Sequence, residues 1–373
     1  MIYLDHAATT PVRPEALEAA WPWLTSEFGN PSSTHELGHR SSVALEQARE
    51  TVAKYFNARP SDVTFTSGGT ESDNLAIIGL ALANPRGKHL VSARTEHEAV
   101  LAAIDFLERV HGFATTWVEL DEFGQVVNFE TSLRSDTTLV SLMLANNEIG
   151  TTHNINALAE ATHKVGALFH TDAVQAVGWF DLDIKKLGVD ALSISGHKFG
   201  APKGSGALVL RSGTHAEPLI HGGGQEGGLR SGTENVAWAV SLATALGVLA
   251  PTEIESARVS ALRDNFIQNV LSRVAQAKLT GHNLNRSPNI ASFTLEGVSG
   301  EAVLLELERR DVIVSSGSAC AAGSDEPSHV LQAIGVGPEV AQTAVRFSLS
   351  HQTSAEALAT AAQALEEAVA TFI

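Results

Sequence analysis

Only one cysteine occurs in the 373 residues. It can form no intrachain disulfide, and alone it builds no Cys-rich zinc or iron–sulfur site. Cations are also scarce, 25 Lys and Arg against 42 Asp and Glu, for a formal charge of −17. That balance repels phosphate backbones and anionic headgroups, which argues against direct nucleic-acid or membrane-surface binding. Long hydrophobic runs are missing. The mostly apolar stretch Ala237 to Ala250 is too short to span a bilayer and carries Ser241 and Thr244. Met1 to His6 shows no basic region leading into an apolar one, so no signal peptide is read and a cytoplasmic location is expected. What is present, 44% hydrophobic and 18% charged residues, suits a packed globular chain with room for about two domains of ~150 residues each.

From about Asp62, short β-branched or apolar runs alternate with helical patterns. Val63–Thr66, His89–Ser92, Thr138–Leu144, Ala167–His170 and Ala191–Ile194 read as strands, with helices over Glu71–Ala83, Glu98–Val110 and Asn154–Val165 between them. This rhythm predicts an α/β fold with a mostly parallel sheet and crossover helices, whose ligands bind at the carboxyl ends of the strands. After Pro251 the rhythm changes to a long helix (Glu253–Ala277), a strand (Asn289–Leu295), a helix (Glu301–Arg310), a strand (Thr343–Ser350) and a last helix opened by a Thr353/Glu356 capping box. The expected division is a large domain over 15–250 and a smaller α+β domain from 1–14 and 251–373.

The predicted strands end in polar residues. Val63–Thr66 runs into Ser67-Gly68-Gly69-Thr70, a turn opening a helix, whose free N–H groups suit a phosphate but which reads equally well as an ordinary N-cap. Other strand ends supply Asn146-Asn147-Glu148, Thr171-Asp172-Ala173-Val174-Gln175 and Ser195-Gly196-His197-Lys198. An Asp at one strand end and a Lys at another, beside a phosphate-type turn, is what pyridoxal phosphate (PLP) needs. The Lys forms a Schiff base with the aldehyde, and the Asp keeps the pyridine nitrogen protonated. Taken singly, Lys198 reads as a solvated loop lysine and Asp172 as a helix cap.

Together with Tyr3-Leu4-Asp5, Gly29-Asn30-Pro31-Ser32-Ser33, Thr95-Glu96-His97, Arg230-Ser231-Gly232-Thr233-Glu234-Asn235, Ser315 to Cys320 and Arg346-Phe347-Ser348, these motifs run in order along the chain. The series resembles the cysteine desulfurases of the class V, fold type I PLP enzymes, closest to the iron–sulfur-cluster and nitrogen-fixation type. The resemblance implies that Lys198 carries the cofactor, Asp172 pairs with its ring nitrogen, Gln175 bonds its ring hydroxyl and His97 stacks on its face and acts as an acid/base. It also implies a homodimer, with Thr70, Ser195, His197 and a second subunit's Thr233 around the phosphate. Asn147 and Arg346 would bind the carboxylate of L-cysteine, a role suited to a bidentate guanidinium.

Cys320 lies in a run of small residues expected to form a mobile loop. Without that context an unpaired Cys reads as a buried hydrophobe; on a loop its thiolate could take sulfur from the substrate as a persulfide and pass it to an acceptor protein, an iron–sulfur scaffold or a thiolation carrier. A selenocysteine lyase or an aminotransferase is the alternative within PLP chemistry, and a non-enzymatic scaffold leaves Lys198, Asp172 and Arg346 unexplained. A remoter alternative is His35-Glu36-Leu37-Gly38-His39, which matches the zinc-peptidase pattern H-E-x-x-H on a helix expected over 33–55. Its flanks are polar and no third ligand is evident, so no metal is expected. The glycine-rich Gly222 to Gly228 departs from the family in Gln225 and Gly227, and the chain ends at Ile373 without the longer scaffold-docking tail of some relatives.

Overall fold

The computed structural model describes residues 1–84, 86–316 and 326–373. Its main sheet has seven strands in the spatial order Val63–Thr66, Gly206–Leu210, Ala191–Ser195, Leu168–Asp172, Thr137–Ser141, His89–Ser92 and Ala114–Trp117. Only Gly206–Leu210 runs antiparallel to its neighbours. Four of these strands, His89–Ser92, Thr137–Ser141, Ala191–Ser195 and Gly206–Leu210, are buried throughout. Burial on both faces explains why they read as continuous apolar runs rather than alternating ones. One face packs Leu75, Ile77 and Leu80 of helix Gly69–Ala83 with Ile104 and Leu107 of helix Glu98–His111. The other packs Leu45, Val52 and Phe56 with Leu242 and Leu246 of helix Val236–Gly247.

A second core is built on the three-stranded antiparallel sheet Ala277–Leu279, Ile290–Leu295 and Ala344–Ser348, covered by helices Thr252–Arg273 and Ala355–Ala370. Phe266, Phe293 and Phe347 meet edge to face there, with ring centroids 4.9 to 6.3 Å apart. Leu4 belongs to this core, and Ile2–Tyr3 pairs in parallel with Val312–Ile313. No single helix among the described residues is long and apolar enough to cross a membrane.

The structure revises several sequence expectations. The long helix stops at Arg273, and Ala277 begins a strand. The last helix is capped by Ser354, whose hydroxyl accepts from the Ala357 N–H, while Thr353 instead accepts from the Ser350 N–H. The strand expected to reach Leu144 ends at Ser141. Helix Glu36–Tyr55 starts after His35, which is its N-cap, with Nδ1 accepting from the Gly38 N–H at 3.2 Å. The zinc-peptidase pattern needs both histidines on one helical face, and His35 lies outside the helix with that nitrogen engaged.

Candidate active site

The parallel strands all deliver their carboxyl ends to one side of the sheet, and a cavity of about 750 Å³ opens there. Thr70, His97, Asn147, Asp172, Gln175, Ser195, His197, Lys198 and Arg346 all line it. Asp172 and Ser195 are the last residues of their strands, and Lys198 sits on the short turn Gly196–Lys198 that follows. Thr233 is not in the cavity wall; it is exposed on the segment before helix Val236–Gly247. Cys320 lies outside the described residues. The flanks of its segment are at the cavity: Ser315 exchanges backbone hydrogen bonds with Arg346, and His329 lines the wall.

The glycine turn is packed tightly. A Cβ on Gly69 would lie 2.8 Å from Val174 Cγ2 and 3.4 Å from Ser195 Cβ, and one on Gly206 would lie 2.6 Å from Gly68 Cα. Glycine therefore lets the start of helix Gly69–Ala83 approach Ser195. No side chain caps that helix, so its first N–H groups and the positive end of its dipole remain available to an anion. His197 Nδ1 is 3.1 Å from Thr9 Oγ1. Burial, then Lys198 and Lys203, lower the His197 pKa to about 4, so the ring is neutral.

Lys198 Nζ donates to the carbonyls of Ala7, at 2.5 Å, and Ala8, at 2.8 Å. Gln175 also donates one amide N–H to Ala7 O, at 2.9 Å, which leaves its second N–H for another acceptor. Asp172 Oδ1 accepts from the Val174 N–H at 2.8 Å. Burial raises the Asp172 pKa, opposed by His97, the Val174 N–H and Lys198. A buried carboxylate facing a cavity gains most from a cationic partner there.

Arg346, 1% exposed, donates from Nη1 to Asn147 O at 2.7 Å and from Nη2 to Asp5 Oδ1 at 2.8 Å. The Asp5 contact fixes a guanidinium at the cavity wall through the amino-terminal segment.

Several wall residues had no place in the sequence reading of the site. Asp73, one turn after Thr70, is 1% exposed, and its Oδ1 has no hydrogen bond. Burial and then Asp172 raise its pKa well above the usual carboxylate range. Beside it His170 is held between Ser141 and Ser193, each at 2.9 Å, and burial lowers its pKa to about 3. Neutral at physiological pH, this imidazole gives Asp73 no compensating charge. A carboxyl whose folded pKa is raised contributes stability below its unfolded value of about 4 and loses it as pH rises. Asp73→Asn should therefore raise the thermal midpoint by a few degrees near pH 7, a gain that fades toward about pH 4 in scanning calorimetry.

The sequence matches the family Aminotransferase class-V over residues 2–360. The chain belongs to the class-V aminotransferase family. Among similar proteins is the cysteine desulfurase IscS of Dictyoglomus turgidum, 47% identical over 361 residues, covering 96% of this chain and 91% of that one. Among solved structures, a NifS-like protein superposes with a TM-score of 0.92 at 33% identity, covering all of both chains. SspA in complex with cysteine gives a TM-score of 0.83 at 35% identity, over 94% of this chain and 99% of that one. The fold is thus the fold type I arrangement expected, in its cysteine desulfurase group.

Class-V enzymes use PLP, and this cavity has the features to accept it. An uncapped helix start beside Ser195 and His197 suits a phosphate, Asp172 a pyridinium nitrogen, Gln175 a ring oxygen and Lys198 an aldehyde carbon. In the glycine-rich segment Gly222 to Gly228, Arg49 grips Glu226 with two hydrogen bonds of 2.6 and 2.9 Å. Gln225 Oε1 accepts from the Gly232 N–H at 2.9 Å, holding the residue next to Thr233.

Proposed function

We propose that this protein is a PLP-dependent cysteine desulfurase that converts L-cysteine to L-alanine and carries the released sulfur as a persulfide on Cys320. The carrying observation is one cavity that joins Lys198 and Asp172 to a buried Arg346. When bound, PLP supplies an aldehyde for the substrate amine and a ring that accepts electrons from Cα. Arg346 orients the substrate carboxylate, with Asn147 beside it. The Lys198 amine takes the Cα proton and later returns it. Asp172 holds the positive charge of the ring nitrogen.

The Cys320 thiolate attacks the substrate sulfur. The S–S bond forms as the Cβ–S bond breaks, and its electron pair passes to carbon, which takes a proton to become the methyl of alanine. The sulfur is oxidised as the carbon is reduced, so no external oxidant is needed. The reading includes a homodimer in which Thr233, exposed on the segment before helix Val236–Gly247, serves the phosphate site of a second copy. The charge of −17 favours a protein as sulfur acceptor over tRNA itself.

The test is to mix PLP-loaded protein with L-cysteine, then measure alanine and the mass of the Cys320 peptide. Alanine with a peptide one sulfur heavier is expected. A keto acid, or an unmodified peptide during turnover, would sink the reading. Arg346→Ala should raise KM for L-cysteine on the order of 10²-fold through lost charge-assisted hydrogen bonds, with a smaller change in kcat.

A further inference from the structure

Three histidines line the cavity, and the hydrogen bonds of His97 and His329 set the same tautomer while engaging opposite ring nitrogens. His97 caps helix Glu98–His111, its Nδ1 accepting the Ala99 N–H at 3.1 Å. That nitrogen must carry its lone pair, so the proton of the neutral ring is on Nε2. His329 Nε2 is 3.0 Å from the Glu96 carbonyl oxygen. A carbonyl only accepts, so here Nε2 carries the proton and Nδ1 the lone pair. The His329 Nδ1 is also 3.5 Å from Glu98 Oε1. In the neutral ring this places two acceptors face to face, whereas a proton arriving on Nδ1 turns the contact into an ion pair.

We propose that His329 is the base that receives the thiol proton of the substrate, and that Glu98 stabilises the imidazolium this creates. The inference rests on the cysteine desulfurase reading and adds a residue to it. In the step the substrate S–H bond breaks, its electron pair stays on sulfur and the proton moves to Nδ1, with no redox change. The sulfur is then an anion; as its S–S bond to Cys320 forms, the Cβ–S pair stays on carbon and the persulfide ends in the deprotonated sulfur. The His329 side chain is 34% exposed, which gives the proton a route to solvent and resets the ring. While it keeps its cap, the His97 ring can only donate from Nε2, so the two rings divide donor and acceptor work.

The charges around His329 are few. Glu98 comes from helix Glu98–His111, and Glu148 accepts a hydrogen bond from the hydroxyl of Ser328, the residue before His329. Arg346 comes from the small sheet and His97 from the helix cap. Glu96 presents its carbonyl, while its carboxyl, raised in pKa by burial, accepts from the Met143 N–H. Among these acids, Glu98 is the one in ion-pair reach of Nδ1.

His329→Gln keeps an N–H for the Glu96 carbonyl but cannot take up a proton. Alanine formation by the PLP-loaded variant should fall by about 10²-fold, and the acidic limb of its kcat/KM profile should disappear. Glu98→Gln should lower the rate by a smaller factor than His329→Gln, because the imidazolium formed in the step loses its partner. Nitrogen-15 chemical shifts of the neutral His329 ring in the free protein should place its proton on Nε2, a readout independent of turnover, and a proton on Nδ1 would overturn the proposal. Added imidazole should partly restore His329→Ala. A His329→Gln protein with the wild-type rate and pH profile would overturn the proposal and leave the desulfurase reading standing. A wild-type protein that forms no alanine from cysteine would overturn both.

Discussion

Lys198→Ala should lower alanine formation from L-cysteine by about 10³–10⁴-fold, the upper range for removing a positioned acid/base group. Two losses combine: the amine that anchors the cofactor and the base that moves the Cα proton. The ammonium's hydrogen bonds to Ala7 and Ala8 show why another side chain would not substitute. They hold Nζ at one wall of the cavity, and the backbone carbonyls that hold it belong to the amino-terminal segment. The variant should also lose the visible absorbance of a lysine-bound cofactor while keeping its far-ultraviolet circular dichroism. A variant that retained both absorbance and turnover would place the attachment elsewhere. Lys198→Arg should be no better than Ala, since a guanidinium stays protonated at working pH and cannot act as the base.

Cys320→Ala should abolish sulfur transfer without touching cofactor binding. No other thiol exists in the chain, so no neighbouring cysteine can take over. Radiolabelled sulfur from cysteine should remain on wild-type protein until a reductant releases it, and none should remain on the variant. Alanine formation should fall to the level of the cofactor-bound protein's background. Because the substitution removes a nucleophile, raising the pH should not rescue it, whereas a rate limited only by thiol ionisation would climb with pH. Full sulfur transfer by Cys320→Ala would refute the persulfide route.

Much of the site was legible because it is local. Asp172, Ser195 and Lys198 stand where strands end, and each strand end announces itself by a switch from apolar to polar residues within a few positions. The phosphate turn is equally local, since Gly68 is the N-cap and Gly69 the first residue of the helix that follows strand Val63–Thr66. What escaped were relations across the chain. Asp5 and Arg346 are 341 residues apart, and nothing near either announces the pair. His329 joins the wall by way of a carbonyl at Glu96, 233 residues away.

Strand direction was hidden too. The strand Gly206–Leu210 is absent from the sequence reading, and its antiparallel direction beside Val63–Thr66 and Ala191–Ser195 would be hidden even if it were present, because buried apolar strands of either direction read alike. The Thr353 cap failed through competition. Thr353 and Ser354 are adjacent hydroxyls, and Thr353 is occupied by the Ser350 N–H in the preceding turn.

The amino-terminal segment joins parts of the molecule that the sequence holds far apart. Ile2–Tyr3 adds to the strand Val312–Ile313, Asp5 grips Arg346, and Ala7 receives both Lys198 and Gln175. Met1 is 87% exposed and ends in solvent. A fusion placed ahead of Met1 should therefore leave the chemistry intact, whereas trimming as few as the first seven residues should disconnect the substrate's anchor and the lysine's seat together. Anyone shortening this protein for crystals or biosensors has freedom at one end of that peptide and almost none along it.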